Sequence, residues 1–221
     1  MIDIFDIIGP IMVGPSSSHT AGAVRIGRMA RTLMGEEPVK AEIHLHGSFA
    51  DTGVGHGTDR ALIAGLLGMA SDDYDIPRSF EIAAERGLRF TFDEIDLRDA
   101  HPNSVLMEVT GTEGATLSMQ ACSVGGGRIE VKQIDGVALS FTGNYNTLII
   151  HNKDERVYIY NVTQALALAK VNIANMSLNR NMRGGSAIMV IETDEPVPEA
   201  IRDLLGNLSG ILHITYYEKE D

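Results

Sequence analysis

A histidine set among hydroxyls stands near the start of the chain. The run Gly14-Pro15-Ser16-Ser17-Ser18-His19-Thr20 leads directly into AGAVRIGRMAR, a helical pattern. Four hydroxyls, an imidazole and the nearby guanidinium of Arg25 thus gather at a helix start. Such a terminus exposes unpaired amides and carries roughly half a positive charge. A carboxylate or phosphate suits that spot. The same residues also serve a plainer purpose. A Ser or Thr ahead of a helix caps it by accepting from an orphan amide, and Thr20, just before Ala21, is placed to do so. On the residues alone both readings stay open.

A second segment, GSFADTGVGHGTDRAL (47–62), opens with a long glycine-rich loop, GSFADTGVGHGTDR. Gly47, Gly53, Gly55 and Gly57 permit positive φ and close backbone approach, at an entropic cost that a mere connector does not need. His56 sits between two of these glycines, where nothing local buries it, and histidine is the side chain best suited to take a proton near neutrality. A solvated loop histidine fits the residues equally. Thr58 or Asp59 can cap the helix that follows. A third segment, His101-Pro102-Asn103, precedes a strand; its side chains either point into a cleft or fill the hydrogen bonds of the turn. There is no G-x-S-x-G elbow, no P-loop and no G-x-G-x-x-G after a strand, so serine-hydrolase and nucleotide chemistry lack support. His44 and His46 alternate in EIHLH and read as two side chains of one strand rather than a metal pair.

The elements that must position these groups fall into two parts, 1–144 and 147–221. Residues 21–34 pattern as a helix with Ile26, Met29, Ala30 and Leu33 on one face and Arg25, Arg28 and Arg31 opposite. KAEIHLHG reads as a strand and ALIAGLLGM as a short helix. FTFDEID, SVLMEVTG, TLSMQACSV, GRIEVKQIDG and VALSFTG read as strands or hairpin arms. After residues 144–148 the order is plainer. TLIIHNK is a strand, and 157–170 a helix with Ile159, Val162, Leu166 and Ala169 along one face. Residues 171–181 form a strand with Ile173, Met176 and Leu178 inward. A turn at Arg183-Gly184-Gly185 leads into a strand over 186–194. A helix over 198–208 carries Ile201, Leu204, Leu205 and Leu208 and ends at Ser209-Gly210; a last strand covers 211–218. The fold class expected is α+β: a mixed α/β part followed by a ferredoxin-like βαββαβ unit.

Composition bounds the function. The chain has 221 residues, enough for a substantial core, and a net charge of −12 that weighs against nucleic acid as the main partner. It holds no run of eighteen apolar residues, so no membrane span is expected. The start, MIDIFDIIGP, lacks the basic and apolar segments of a secretory signal. One cysteine, Cys122, excludes an internal disulfide and is consistent with a reducing cytoplasm. One thiolate also cannot hold an iron–sulfur cluster or a zinc site built on cysteine pairs.

Taken together, GPSSSHTAGA, the GS…TG.GHGTDRA stretch, HPN and the SVGGG turn at 123–127 resemble, in this order, the β chain of the iron–sulfur-dependent L-serine dehydratases. The resemblance extends to an ACT-like C-terminal segment and covers nearly the whole chain. It implies conversion of L-serine to pyruvate and ammonia, with a [4Fe-4S] cluster on a separate α chain and no metal ligand on this one. An open iron of that cluster would act as Lewis acid on the serine hydroxyl, while a base takes the Cα proton. By the same resemblance His56 is the leading base candidate and His101 the second. Ser16, Ser17, Ser18, His19, Thr20 and Asn103 would bind the substrate, on a loop shaped by Gly55, Gly57, Thr58 and Asp59.

Two further readings follow from resemblance. The N-terminal part is similar to the allosteric substrate-binding domain of some serine-pathway dehydrogenases, which would make PSSSHT a regulatory site. From a different class, the chain would be a non-catalytic amino-acid sensor or scaffold. The ACT-like segment departs from its family at Asp154-Glu155-Arg156-Val157, where many members carry Asp-x-Pro-Gly. Valine resists the positive φ glycine allows, which speaks against amino-acid binding at this turn. Asn172 and Asn175 remain available for a structural or cation-binding role. Pairing of ACT units implies self-association.

Overall fold

A computed structural model describes residues 11–219. The segment MIDIFDIIGP lies outside the described residues. The chain divides into two compact units, Met1–Asp135 and Gly136–Asp221, ahead of the change in composition at 144–148.

In the first unit a single π-turn, Ser17–Ala21, runs into helix α1 (Gly22–Met34). The helix buries Val24, Ile26, Met29, Ala30 and Leu33 and stops at Gly35, whose φ of +72° suits only glycine well. The N-terminal cap is Ser16, not Thr20: Ser16 Oγ accepts from the His19 amide at 3.1 Å. Thr20 falls one turn too late. It is buried, and its hydroxyl donates to the His56 carbonyl at 3.4 Å.

Strand β1 (Pro38–Leu45) is followed by helices α2 (Ser48–His56), α3 (Thr58–Leu66) and α4 (Ser79–Glu85) before β2 (Arg89–Glu94). Residues 48–56 and 58–60 are therefore helical, which corrects the reading of 47–60 as a loop. Gly57, at φ +70°, separates α2 from α3. Neither Thr58 nor Asp59 caps α3 through its side chain; Asp59 Oδ1 accepts only from the adjacent Arg60 amide. Next come β3 (Ser104–Gly111), β4 (Thr116–Gly125) and β5 (Arg128–Ile134). The strand order is β2-β1-β3-β4-β5 within this unit. The β1–β2 pair is parallel, as a helical crossover requires, and the others are antiparallel.

A buried row crosses the sheet: Ile43 opposite Met107, Met107 opposite Met119, Met119 opposite Ile134. Helix α1 lies over β3, β4 and β5. It meets α3 almost backbone to backbone: a Cβ on Gly27 would stand 2.2 Å from the Leu62 carbonyl oxygen, and one on Gly65 2.1 Å from that of Val24. On the outer face His44 bridges two carboxylates, Asp93 at 2.5 Å and Glu108 at 3.2 Å. His46 Nδ1 instead accepts from the Leu97 amide at 3.2 Å.

The second unit opens with β6 (Val137–Phe141). It continues as β7 (Asn146–Lys153), α5 (Tyr158–Leu168), β8 (Ile173–Arg180), β9 (Ser186–Thr193), α6 (Glu199–Gly206) and β10 (Ile211–Tyr217). Its four later strands form an antiparallel sheet in the order β10-β7-β9-β8. Leu148, Ile150, Met189 and Ile191 pack beneath Val162, Leu166 and Leu205 of the helices. Three residues read as inward are not. Ile159, Leu178 and Leu204 are exposed, because a short helix spares only its most central positions for the core, and Leu178 lies on an edge strand. Helix α6 stops at Gly206, with Asn207 as its C-cap, before the Ser209-Gly210 turn. Val157 keeps an ordinary φ of −83°. Asn172 and Asn175 are engaged by carboxylates, Asp194 at 2.6 Å and Glu192 at 3.0 Å.

Candidate functional site

The π-turn and helix α2 bring two histidines of the sequence reading together. The rings of His19 and His56 have centroids 5.0 Å apart at 52°. His19 stands in a ring of hydroxyls. Its Nε2 lies 3.1 Å from Ser48 Oγ, 3.1 Å from Thr52 Oγ1 and 3.4 Å from the Ser48 carbonyl oxygen. Its Nδ1 is 3.5 Å from Ser16 Oγ, and Phe49 packs edge-on at 5.3 Å.

These contacts select a tautomer. The Thr52 hydroxyl donates to the Ser48 carbonyl at 2.8 Å, so toward His19 its oxygen can only accept. His19 Nε2 therefore carries the hydrogen, and Nδ1 keeps its lone pair on the Ser16 side. Partial burial lowers the His19 pKa; the Ser48 carbonyl opposes this, and the facing His56 ring adds to it. The imidazole is thus held neutral near pH 7. His56 is exposed, and among the described residues its ring meets His19 and makes no side-chain hydrogen bond. One histidine is fixed and the other presented.

The SVGGG turn underlies the same helix start. Ser123 Oγ is enclosed without a hydrogen-bond partner among the described residues, and a Cβ on Gly22 would lie 2.2 Å from it. Arg25, read as a donor for an anion, is already committed: its Nη1 donates to the Gly127 carbonyl at 3.0 Å. Ser17 and Ser18 sit partly buried within the π-turn, Ser18 on the side of Gly125.

The HPN turn abuts this region without entering the histidine pair. A Cβ on Gly47, just ahead of α2, would lie 2.7 Å from the Pro102 carbonyl oxygen. His101 is exposed and its Nδ1 accepts from the Asn103 amide at 3.1 Å. Asn103 engages the SVGGG turn through its backbone, accepting from the Ser123 amide at 3.0 Å. The structure joins His19, His56, Ser16 and Thr20; it leaves His101 in its own turn.

Ser48 and Thr52 were missed by the sequence reading. Ser48, Thr52 and His56 recur every four residues, the spacing of one helix face. Reading 48–56 as a helix would have found them. Among the described residues no three His, Cys, Asp or Glu side chains converge to hold a metal ion. Cys122 is 1% exposed, and burial raises its thiol pKa, so the chain offers no thiolate set for a cluster.

Comparison with known proteins gives the family. Residues 1–134 match the model of the serine dehydratase beta chain. Over 212 residues the chain is 40% identical to the probable L-serine dehydratase, beta chain, of Bacillus subtilis (strain 168), covering 96% of both. It is 37% identical over 215 residues to the L-serine dehydratase, beta chain, of Peptoniphilus asaccharolyticus, covering 97% of both. A 33% identical stretch of 150 residues, 57% of this chain, matches 33% of an L-serine dehydratase of Streptomyces coelicolor. An α+β chain with a hydroxyl-ringed histidine pair, it belongs to the serine dehydratase beta chain family.

Proposed function

We propose that this chain is the β subunit of an L-serine dehydratase that converts L-serine to pyruvate and ammonia together with an α chain. The observation that carries the reading is the His19–His56 pair, one ring locked and the other exposed. Family membership supplies the substrate class.

In this reading the subunit finishes a pocket shared with the partner. His56 takes the Cα proton of serine; the Cβ hydroxyl departs as hydroxide and leaves aminoacrylate. That species tautomerises to the imine, and water releases ammonia and pyruvate. His19, neutral and held at both ring nitrogens, keeps His56 in place and avoids a second positive charge beside it. The hydroxyls around the π-turn receive the substrate carboxylate. The enclosed Cys122 and the lack of other cysteines do not fit a [4Fe-4S] cluster on this chain. The cluster therefore belongs to the α chain in this proposal.

The second unit is read as an ACT domain of ferredoxin-like order, supported by its βαββαβ succession. Its edge strand β8 is offered for self-association. The first unit is read as a domain of the allosteric substrate-binding type. No helix among the described residues is long and apolar enough to cross a membrane, and a lone thiol suits the cytoplasm.

The test is co-expression with a serine dehydratase α chain, then an anaerobic pyruvate assay with serine. Activity that needs both chains is expected. Full turnover by the β chain alone, or none from a cluster-loaded pair, overturns the proposal.

A further inference from the structure

Strand β2 stands at the edge of the first unit's sheet and pairs with β1 alone in that unit. Which of its backbone groups β1 uses follows from parity. The Ile95 amide donates to the Leu45 carbonyl at 2.9 Å, and on the far side of β1 the His46 amide donates to the Ser104 carbonyl at 3.0 Å. Successive residues of a strand turn their N–H and C=O to opposite sides. Arg89, Thr91 and Asp93 therefore bond to β1, while Phe90, Phe92 and Glu94 direct theirs to the open edge. Such a row of unpaired groups is a template for one more strand.

The side chains alternate too. Asp93 lies on the outer face, 2.5 Å from His44 Nδ1, so Arg89 and Thr91 share that face. All three are exposed, and the Arg89 guanidinium has no partner among the described residues. Phe90 and Phe92 point to the helix side, where the Phe80 ring of α4 has its centroid 4.8 Å from one and 6.2 Å from the other. Both rings stay part-exposed. Read along the edge, Arg89 to Asp93 run cation, ring, hydroxyl, ring, anion. Turned end for end, that series meets its own complement.

We propose that β2 pairs antiparallel with β2 of a second copy of this chain, about a two-fold axis at Thr91. Thr91 then faces the partner's Thr91, Phe90 faces the partner's Phe92, and Arg89 faces the partner's Asp93. The ring pairs fall at hydrogen-bonded positions, because Phe90 and Phe92 carry the free edge groups. Thr91, spent on β1, falls at a non-hydrogen-bonded position, as antiparallel alternation demands. A register moved by two residues sets Thr91 against the partner's Asp93, or Arg89 against the partner's Thr91, and loses both ion pairs. A register moved by one sets side chains of opposite faces against each other. The contact is isologous and closes at two copies. It uses neither the histidine pair nor β8.

Full-length chain carrying Thr91→Cys is oxidised mildly and scored for covalent dimer. Cys122, the one native cysteine, is 1% exposed, so the new thiol reads this edge alone. Opposed Cα atoms at a non-hydrogen-bonded position stand about 4.5 Å apart, within disulfide range. Linking at least about tenfold faster than in a collision control is expected, since a docked thiol has a high effective concentration. The control is Glu113→Cys, on the exposed turn between β3 and β4. Arg89→Asp added to Thr91→Cys should slow linking by about tenfold or more, because two attractive pairs become repulsive. Adding Asp93→Arg as well should restore it. Thr91→Cys that links no faster than the control, or that links equally fast with Arg89→Asp, overturns the proposal.

Discussion

The His19 and His56 rings stand 5.0 Å apart, yet their surroundings are opposite. His19 is held through both ring nitrogens by hydroxyls of Ser16, Ser48 and Thr52, whereas His56 faces outward. Under the proposed function, this unequal restraint gives support to His19 and proton transfer to His56.

Removing the presented ring should remove proton transfer and spare the fold. His56→Ala is expected to lower turnover of the co-expressed enzyme by about 10²–10⁴-fold, with the complex eluting as before. Near-normal turnover would take His56 out of the role.

The pair should also be visible in titrations. His19 is expected to protonate below the ordinary histidine value, because burial and the His56 ring both disfavour its charge. In His56→Ala the His19 pKa should rise, read from its ring carbon shifts. The linkage sign follows: a depressed folded pKa gives stability that is complete above about pH 6.5 and is lost as pH falls through the folded value. An unmoved His19 pKa in the variant would dissolve the electrostatic link.

His44 behaves in the opposite sense. Burial lowers its pKa, but hydrogen bonds and charge from Asp93 and Glu108 outweigh it and the net shift is upward. Its stability contribution is therefore complete below about pH 6.5 and lost as pH rises through the folded value. The difference in melting temperature between the parent and His44→Gln should shrink from pH 6 to pH 8. A constant difference would mean that the bridge has no charge-linked part.

Gly27→Ala and Gly65→Ala each drive a methyl into a neighbouring backbone and should cost about 1–3 kcal/mol or more. Gly57→Ala meets no atom within 4 Å but retains a φ of +70°, and should cost only the left-handed penalty of about 1–2 kcal/mol. Calorimetric melts of the three variants test this order, and a Gly57 variant that melts lowest would reverse it.

Much of the second unit was legible in the sequence, because its alternation between periods of two and of about four residues is clean and its turns carry Gly. The inward positions failed where burial depends on neighbours that periodicity cannot name, as at Leu178 and Leu204. In the first unit the strands were legible, but α2 was not. Its residues SFADTGVGH include two glycines and two β-branched residues, which oppose helix on local propensity. Tertiary packing overrides that: Phe49 is fully buried, and Thr52 turns its hydroxyl inward along the helix to the Ser48 carbonyl. His56 was named as base candidate by family resemblance, and the fold sets its ring beside His19. The His19 partners Ser48 and Thr52 became recognisable only with the helix.

Backbone contact between α1 and α3 at Gly27 and Gly65 has one more consequence. His19 precedes the first of these helices by three residues and His56 the second by two. The two rods act as the arms of a calliper whose pivot is main chain against main chain. The gap between the imidazoles is thereby gauged by peptide geometry, so exchange of bulky apolar side chains elsewhere in the core leaves the jaw setting unchanged, while one added methyl at the pivot would spring it.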